Sequence, residues 1–251
     1  MLAFSILLII GCAEEKPALV MPVTTDSELA LELYETGIMA FDQWKHKLFW
    51  ENIYEAIELD PDFFMAHFWM FYISSKGSKK AAEKAFQSEA QLSPGEEQVR
   101  IALKYLVEGQ EEKVVEHLQN LVELYPSDPQ AHKILYLLQQ MYFKDYEGAI
   151  KSLDRAIREC PEYTLAYNQL GYAYKELEDF ENAEEALDTY IRLAPDQANP
   201  YDSKGDFFMA TEQYEEAADS YMKAYKIDSA AFPNNKKKAK KARMLQEKTI
   251  Q

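Results

Sequence analysis

Four histidines (His46, His67, His117 and His132) and two cysteines (Cys12 and Cys160) are the side chains of this 251-residue chain best suited to nucleophilic, proton-transfer or metal chemistry. Their spacing argues against all three. No histidine has a second one three or four residues away, the separation that puts two ligands on one helix face. Cys160 stands just before Pro161, where a lone thiol reads as packing. Gly77 and Gly109 are isolated, so no glycine-rich loop is present to cradle a phosphate. The 43 Asp and Glu are spread along the whole chain, so pairs of carboxylates single out no site. The expectation is therefore no catalytic residue, no metal and no cofactor.

Charge narrows the partners. The formal net charge is −16, unfavourable for a nucleic-acid surface. It is uneven: residues 236–251 hold seven Lys or Arg against one Glu, a net +6, which leaves −22 for residues 1–235. With 17 Tyr, 13 Phe and 3 Trp there is ample apolar surface to bury, which excludes a disordered body. Only 8 Gly and the lack of strand-like alternation point to an all-α chain.

The helices repeat. Gly171 and Gly205, Tyr174 and Phe208, Phe180 and Tyr214, and Ala183 and Ala217 are each 34 residues apart. Tyr167, Leu170 and Tyr174 share one helix face, and Ala183, Leu187 and Tyr190 share a second. Small Gly171 and Ala183 allow the two backbones to approach, Glu178-Asp179 makes the turn, and Pro195 stops the second helix. One such hairpin cannot bury its apolar face without neighbours. The set Tyr167, Leu170-Gly171, Tyr174, Ala183, Leu187 and Pro195 resembles the tetratricopeptide repeat. The resemblance implies an α-solenoid, a right-handed superhelix of helical hairpins that acts as a protein-interaction scaffold. Extending the period divides the chain into six repeats, 30–63, 64–94, 95–129, 130–163, 164–197 and 198–231. Residues 12–28 read as a linker with Asp26 or Ser27 capping the first helix, and residues 232–251 as a basic capping helix. In the second helix of the first repeat Phe49 replaces the small residue, which predicts a splayed or repacked hairpin. The cluster Lys236–Arg243 has two readings beyond capping, contact with anionic lipid head groups or with the chain's own acidic body.

The amino terminus carries a separate signal. Residues 2–10, LAFSILLII, would make a helix of about 14 Å, under half a bilayer core. The run ends in Ile9-Ile10-Gly11-Cys12, which resembles the lipobox of bacterial lipoproteins. That resemblance implies a signal peptide over residues 1–11, acylation of Cys12, and a lipid-anchored place in the bacterial envelope, facing the periplasm or the surface.

In this repeat family the first helix of each hairpin lines the concave side. The register places Tyr34, Ile38 and Phe41 there, then Met65, Phe68 and Tyr72, then Leu103. Leu138, Met141 and Tyr142 follow, and Asn168, Tyr172, Lys175, Asp202 and Asp206 complete the wall. It changes from apolar to acidic along its length. Such a wall suits an amphipathic helix or extended peptide with basic residues, in envelope complex assembly; a small apolar ligand or lipid is the alternative occupant. Three competing arrangements stay open: the early repeats close up and bury these side chains, the N-terminal linker fills the groove, or two copies pair. The carboxylate clamp of chaperone-binding members is absent, because Asp202 and Asp206 stand where it needs cations.

Overall fold

A computed structural model describes residues 20–73, 79–88 and 90–249. Within them the chain is an all-α solenoid without strands. Helices pair as α1 (Glu28–Asp42) with α2 (His46–Leu59), α3 (Phe64–Ile73) with α4 (Lys79–Gln87), and α5 (Pro94–Val107) with α6 (Glu111–Leu124). The next pair is α7 (Pro129–Leu137), which runs on as a π-helical turn (Leu138–Phe143), and α8 (Tyr146–Glu159). Then come α9 (Leu165–Glu176) with α10 (Phe180–Leu193), α11 (Asn199–Ala210) with α12 (Tyr214–Ile227), and α13 (Asn235–Thr249) on α12. The expected signal peptide over residues 1–11 and Cys12 lie outside the described residues.

Local devices close the hairpins whose turns are described. Ser27, Ser93, Asp128, Asp145 and Asp179 accept hydrogen bonds from backbone amides at helix starts, and Ser93 with Glu96 forms a complete capping box. Trp44, Gly109, Lys144, Glu178 and Glu212 turn the chain between paired helices with positive φ, and the last three are 34 residues apart. Inside the hairpin, a glycine on the first helix meets the residue sixteen positions on. A Cβ on Gly171 would lie 2.6 Å from Leu187 Cγ, one on Gly205 2.6 Å from the Tyr221 ring, and one on Gly37 3.2 Å from Ile53. Gly37 thus packs closely on Ile53, so the first hairpin is not splayed. Phe49 is fully buried beside it, its ring 5.6 Å from Phe41.

A recurring bond ties the first, third and fifth repeats to the ones that follow. The His67 Nε2–H donates to the Pro61 carbonyl at 2.8 Å, the His132 Nε2–H to Pro126 at 2.8 Å, and the Tyr201 hydroxyl to Pro195 at 3.0 Å. In each case the acceptor is six residues back, on the proline that ends the preceding hairpin.

The main core runs from Met21 to Ala186, with smaller clusters in the last hairpins. Its centre is α3, FMAHFWMFYI, apolar on every side and buried accordingly. Residues 20–27 are no free linker. Met21 is buried, and its amide donates to Asp128 at 2.9 Å. The Thr24 amide and hydroxyl both donate to Glu96, and the Thr25 hydroxyl donates to Asp60. The segment straps the end of the first hairpin to the third and fourth, since an extended backbone must find partners for its amides.

Candidate functional site: the concave wall

The early concave wall is closed. Tyr34, Ile38, Met65, Phe68, Leu103 and Leu138 are all buried, which corrects their assignment to an open groove. The reason is contact between hairpins across the inside of the spiral. Trp69 Nε1 donates to the Tyr34 hydroxyl at 3.1 Å, and Tyr34 packs its ring on Phe63. Lys133 of α7, fully buried, places its ammonium 2.5 Å from Asp42 at the end of α1, within 6.0 Å of the Phe41, Trp69 and Tyr163 rings. Burial lowers the Lys133 pKa, and Asp42 partly offsets that.

Four of the expected residues do come together at an opening. Phe41, Tyr72 and Met141 line a cavity of about 210 Å³ with Trp44, His46, Ile73, Leu137, Leu165 and Gln169. Tyr142 stands next to it, its ring 5.6 Å from Tyr72. Met141 is 57% exposed, Tyr142 40% and Trp44 38%. The π-helical turn carries Met141 and Tyr142 outward, and the left-handed Lys144 ends it. The Tyr72 hydroxyl reaches Met141 Sδ at 3.2 Å. Trp44 holds φ at 60°, a conformation costly for a bulky residue, by about 1–2 kcal/mol. Its ring meets His46 edge-on at 5.3 Å. An exposed tryptophan strained into a turn marks the rim of a site better than any groove-register residue does. Register reasoning missed Trp44, His46 and Gln169. The visible signal was a tryptophan inside the otherwise polar turn Asp42-Gln43-Trp44-Lys45-His46.

The acidic end is occupied by the chain itself. Lys238 of α13 lies 2.8 Å from Asp202 and 3.0 Å from Asp206. The Tyr221 hydroxyl donates to Asp206 at 2.7 Å, and that of Tyr172 to the same carboxylate at 3.1 Å. Burial and the Asp206 charge raise the Asp202 pKa despite the lysine. For Lys238 burial works downward, but the two carboxylates outweigh it and the pKa is raised. Of the readings for the basic segment, contact with the acidic body is the one seen at Lys238. Lys175 sits over the Tyr172 ring at 4.8 Å. Asn168 is fully buried, and neither end of its amide has a partner among the described residues, a cost of about 1–3 kcal/mol.

The groups suited to chemistry stay apart. His117 bonds Gln98 and stacks on Tyr105, and shares no bonding partner with the two proline-bonded histidines. Burial pushes the Cys160 thiol up to about 11, away from thiolate character at neutral pH. Among the described residues no three His, Cys, Asp or Glu gather as a metal site, and no helix is long and apolar enough to cross a membrane.

Comparison with known proteins agrees with this architecture. The tetratricopeptide repeat model matches residues 165–197 and 198–230. The crystal structure of TTC0263, a thermophilic TPR protein of Thermus thermophilus, is similar to this chain with 16% identity and a TM-score of 0.53, over 86% of this chain and 99% of that one. MamA is 25% identical over 61% of this chain and 88% of its own, with a TM-score of 0.45. The Cut9–Hcn1 hetero-tetramer of APC/C is 17% identical over 84% and 46%, with a TM-score of 0.47. A search of curated proteins gave no match.

Proposed function

Because the chain is a tetratricopeptide-repeat protein, a protein-interaction module by architecture, we propose that it is a non-catalytic scaffold whose partner docks at the mouth framed by Trp44, Met141 and Tyr142. The observation that carries this is the exposure of those three large side chains around an apolar cavity in a spiral that elsewhere buries its inner wall. A cavity of about 210 Å³ takes one aromatic or branched aliphatic side chain, so the partner presents one apolar anchor from a helix or extended peptide. Exposed Met adapts to such anchors at little cost. The lipobox reading adds a tether at Cys12, which would place the module on a bacterial envelope membrane and give it a part in envelope complex assembly.

A second reading rests on the cavity walls, which are mostly apolar: the occupant is a small apolar ligand or a lipid chain. A photo-crosslinking residue at Tyr142 separates the two. Protein adducts there, absent from the same probe at exposed Tyr54, favour the scaffold; lipid or small-molecule adducts favour the carrier. Equal labelling at both positions removes the site.

A further inference from the structure

The two ends of the array carry unpaired charge of opposite sign at the same spacing. On α1, Glu28, Glu32 and Glu35 are exposed, four and three residues apart on one face, and the helix contains no Lys or Arg. On α13, Lys236, Lys240 and Arg243 are exposed with the same four-and-three spacing, and Lys237 and Lys241 run beside them. Among the described residues the three glutamates and four lysines have no ion-pair partner, and Arg243 only meets the exposed Asp219 at 3.7 Å.

The position of α13 explains its bare face. Ala239 falls 34 residues after Gly205 and 68 after Gly171, so α13 stands where the first helix of a further hairpin would. Ala239 and Ala242 are buried against α12, and Lys238 turns inward to Asp202 and Asp206. No second helix covers its other side among the described residues.

We propose that the outer face of α13 in one copy of this chain seats on the outer face of α1 in the next, joining copies head to tail. The glutamates meet the basic stripe, while exposed Leu29 and Met39 on α1 and Met244 on α13 supply apolar contact. An anionic lipid surface would answer α13 alone and leave the α1 acids unmet; a second copy answers both. The two patches are different surfaces, so the contact is heterologous and propagates instead of closing as a dimer. One helix on another is a small interface, which puts the dissociation constant at about 10 µM to 1 mM. Exposed charges are screened beyond about 10 Å at 0.1 M salt, so salt dissolves it.

Sedimentation of the full chain over a concentration series tests this. At low ionic strength the average mass should rise with concentration without stopping at a dimer, and molar salt should return it to the monomer. Lys236→Glu with Lys240→Glu, or Glu32→Lys with Glu35→Lys, should each weaken association about tenfold. Mixing the two variants should restore it, because each reversed face then meets its opposite. Lys236→Gln with Lys240→Gln gives the same direction with less perturbation, and circular dichroism checks that every variant keeps its helices. A monomer at all concentrations overturns the proposal, as does association indifferent to both reversals or a mixture that fails to recover. Binding of phosphatidylglycerol vesicles through α13 by protein that stays monomeric also overturns it.

Discussion

Lys133 on α7 holds Asp42 at the end of α1 across 91 residues of sequence, with no part of its own side chain exposed to solvent. This pair joins the first hairpin to the fourth and shuts the inner wall between them. Asp42→Ala strands a buried ammonium and should cost about 3–5 kcal/mol of stability, read from urea unfolding. Lys133→Met, which removes the charge and keeps the volume, should cost far less. Equal losses would mean that packing, and not charge, holds the two hairpins together.

The proline-bonded histidines make stability depend on pH. Burial, the largest influence on both, lowers the pKa of His67 and of His132 below the usual 6.5. As pH falls through 6.5 the unfolded chain therefore takes up protons before the folded one, and stability drops; above 6.5 their contribution is complete. Tyr201 makes the same bond with a hydroxyl, so His67→Tyr with His132→Tyr should keep the fold. The double variant should flatten the loss in unfolding midpoint between about pH 7.5 and 5.5. An unchanged slope would place the titration elsewhere.

Lys238→Met leaves Asp202 and Asp206 facing each other without a cation. With a third of the lysine side chain exposed, the loss at neutral pH should be about 1–2 kcal/mol. Asp202 already has a raised pKa, so its folded form prefers the proton, and the stability it contributes is present at low pH and lost as pH rises. The deficit of the variant should accordingly shrink on acidification. A deficit constant from acid to neutral pH would assign Lys238 a packing role only.

Gly171→Ala reverses a familiar rule. In a helix interior this change normally stabilises by about 0.5–1 kcal/mol. Here the added Cβ would stand 2.6 Å from Leu187 Cγ, so thermal unfolding should show destabilisation of about 1–3 kcal/mol. Leu187→Ala in the same chain makes room and should recover part of it. A stabilised single variant would show that α9 and α10 have slack between them.

At the cavity, Trp44→Gly suits the left-handed turn and should leave unfolding near that of the parent chain. Met141→Ser removes an exposed side chain at similarly small cost. Both should abolish crosslinks formed from Tyr142, and retention of those crosslinks would move the docking point away from this rim.

Much of the molecule was legible from spacing. Gly171 and Gly205, the Glu178 turn and Pro195 mark positions where local chemistry leaves one choice, so the hairpins of the last repeats follow directly. The fate of the concave residues was not. Tyr34 and Phe68 fit an open wall and a closed core equally well, because a register says which face a side chain takes and not what stands opposite. Trp44 gave a hint by being apolar in a polar turn, yet nothing in its neighbourhood tied it to Met141 or Gln169. Lys238 carried only its sign.

The sequence alone determined the all-α repeat, its period and the turn at Glu178, since these depend on contacts within about 34 residues and on local backbone preference. Tertiary structure decided that the spiral closes on itself, that residues 20–27 strap it, and that one short stretch of inner wall stays open. Those outcomes rest on pairs such as Lys133 with Asp42 and Met21 with Asp128, separated by 91 and 107 residues. No period links such partners, so only the path of the folded chain through space brings them together.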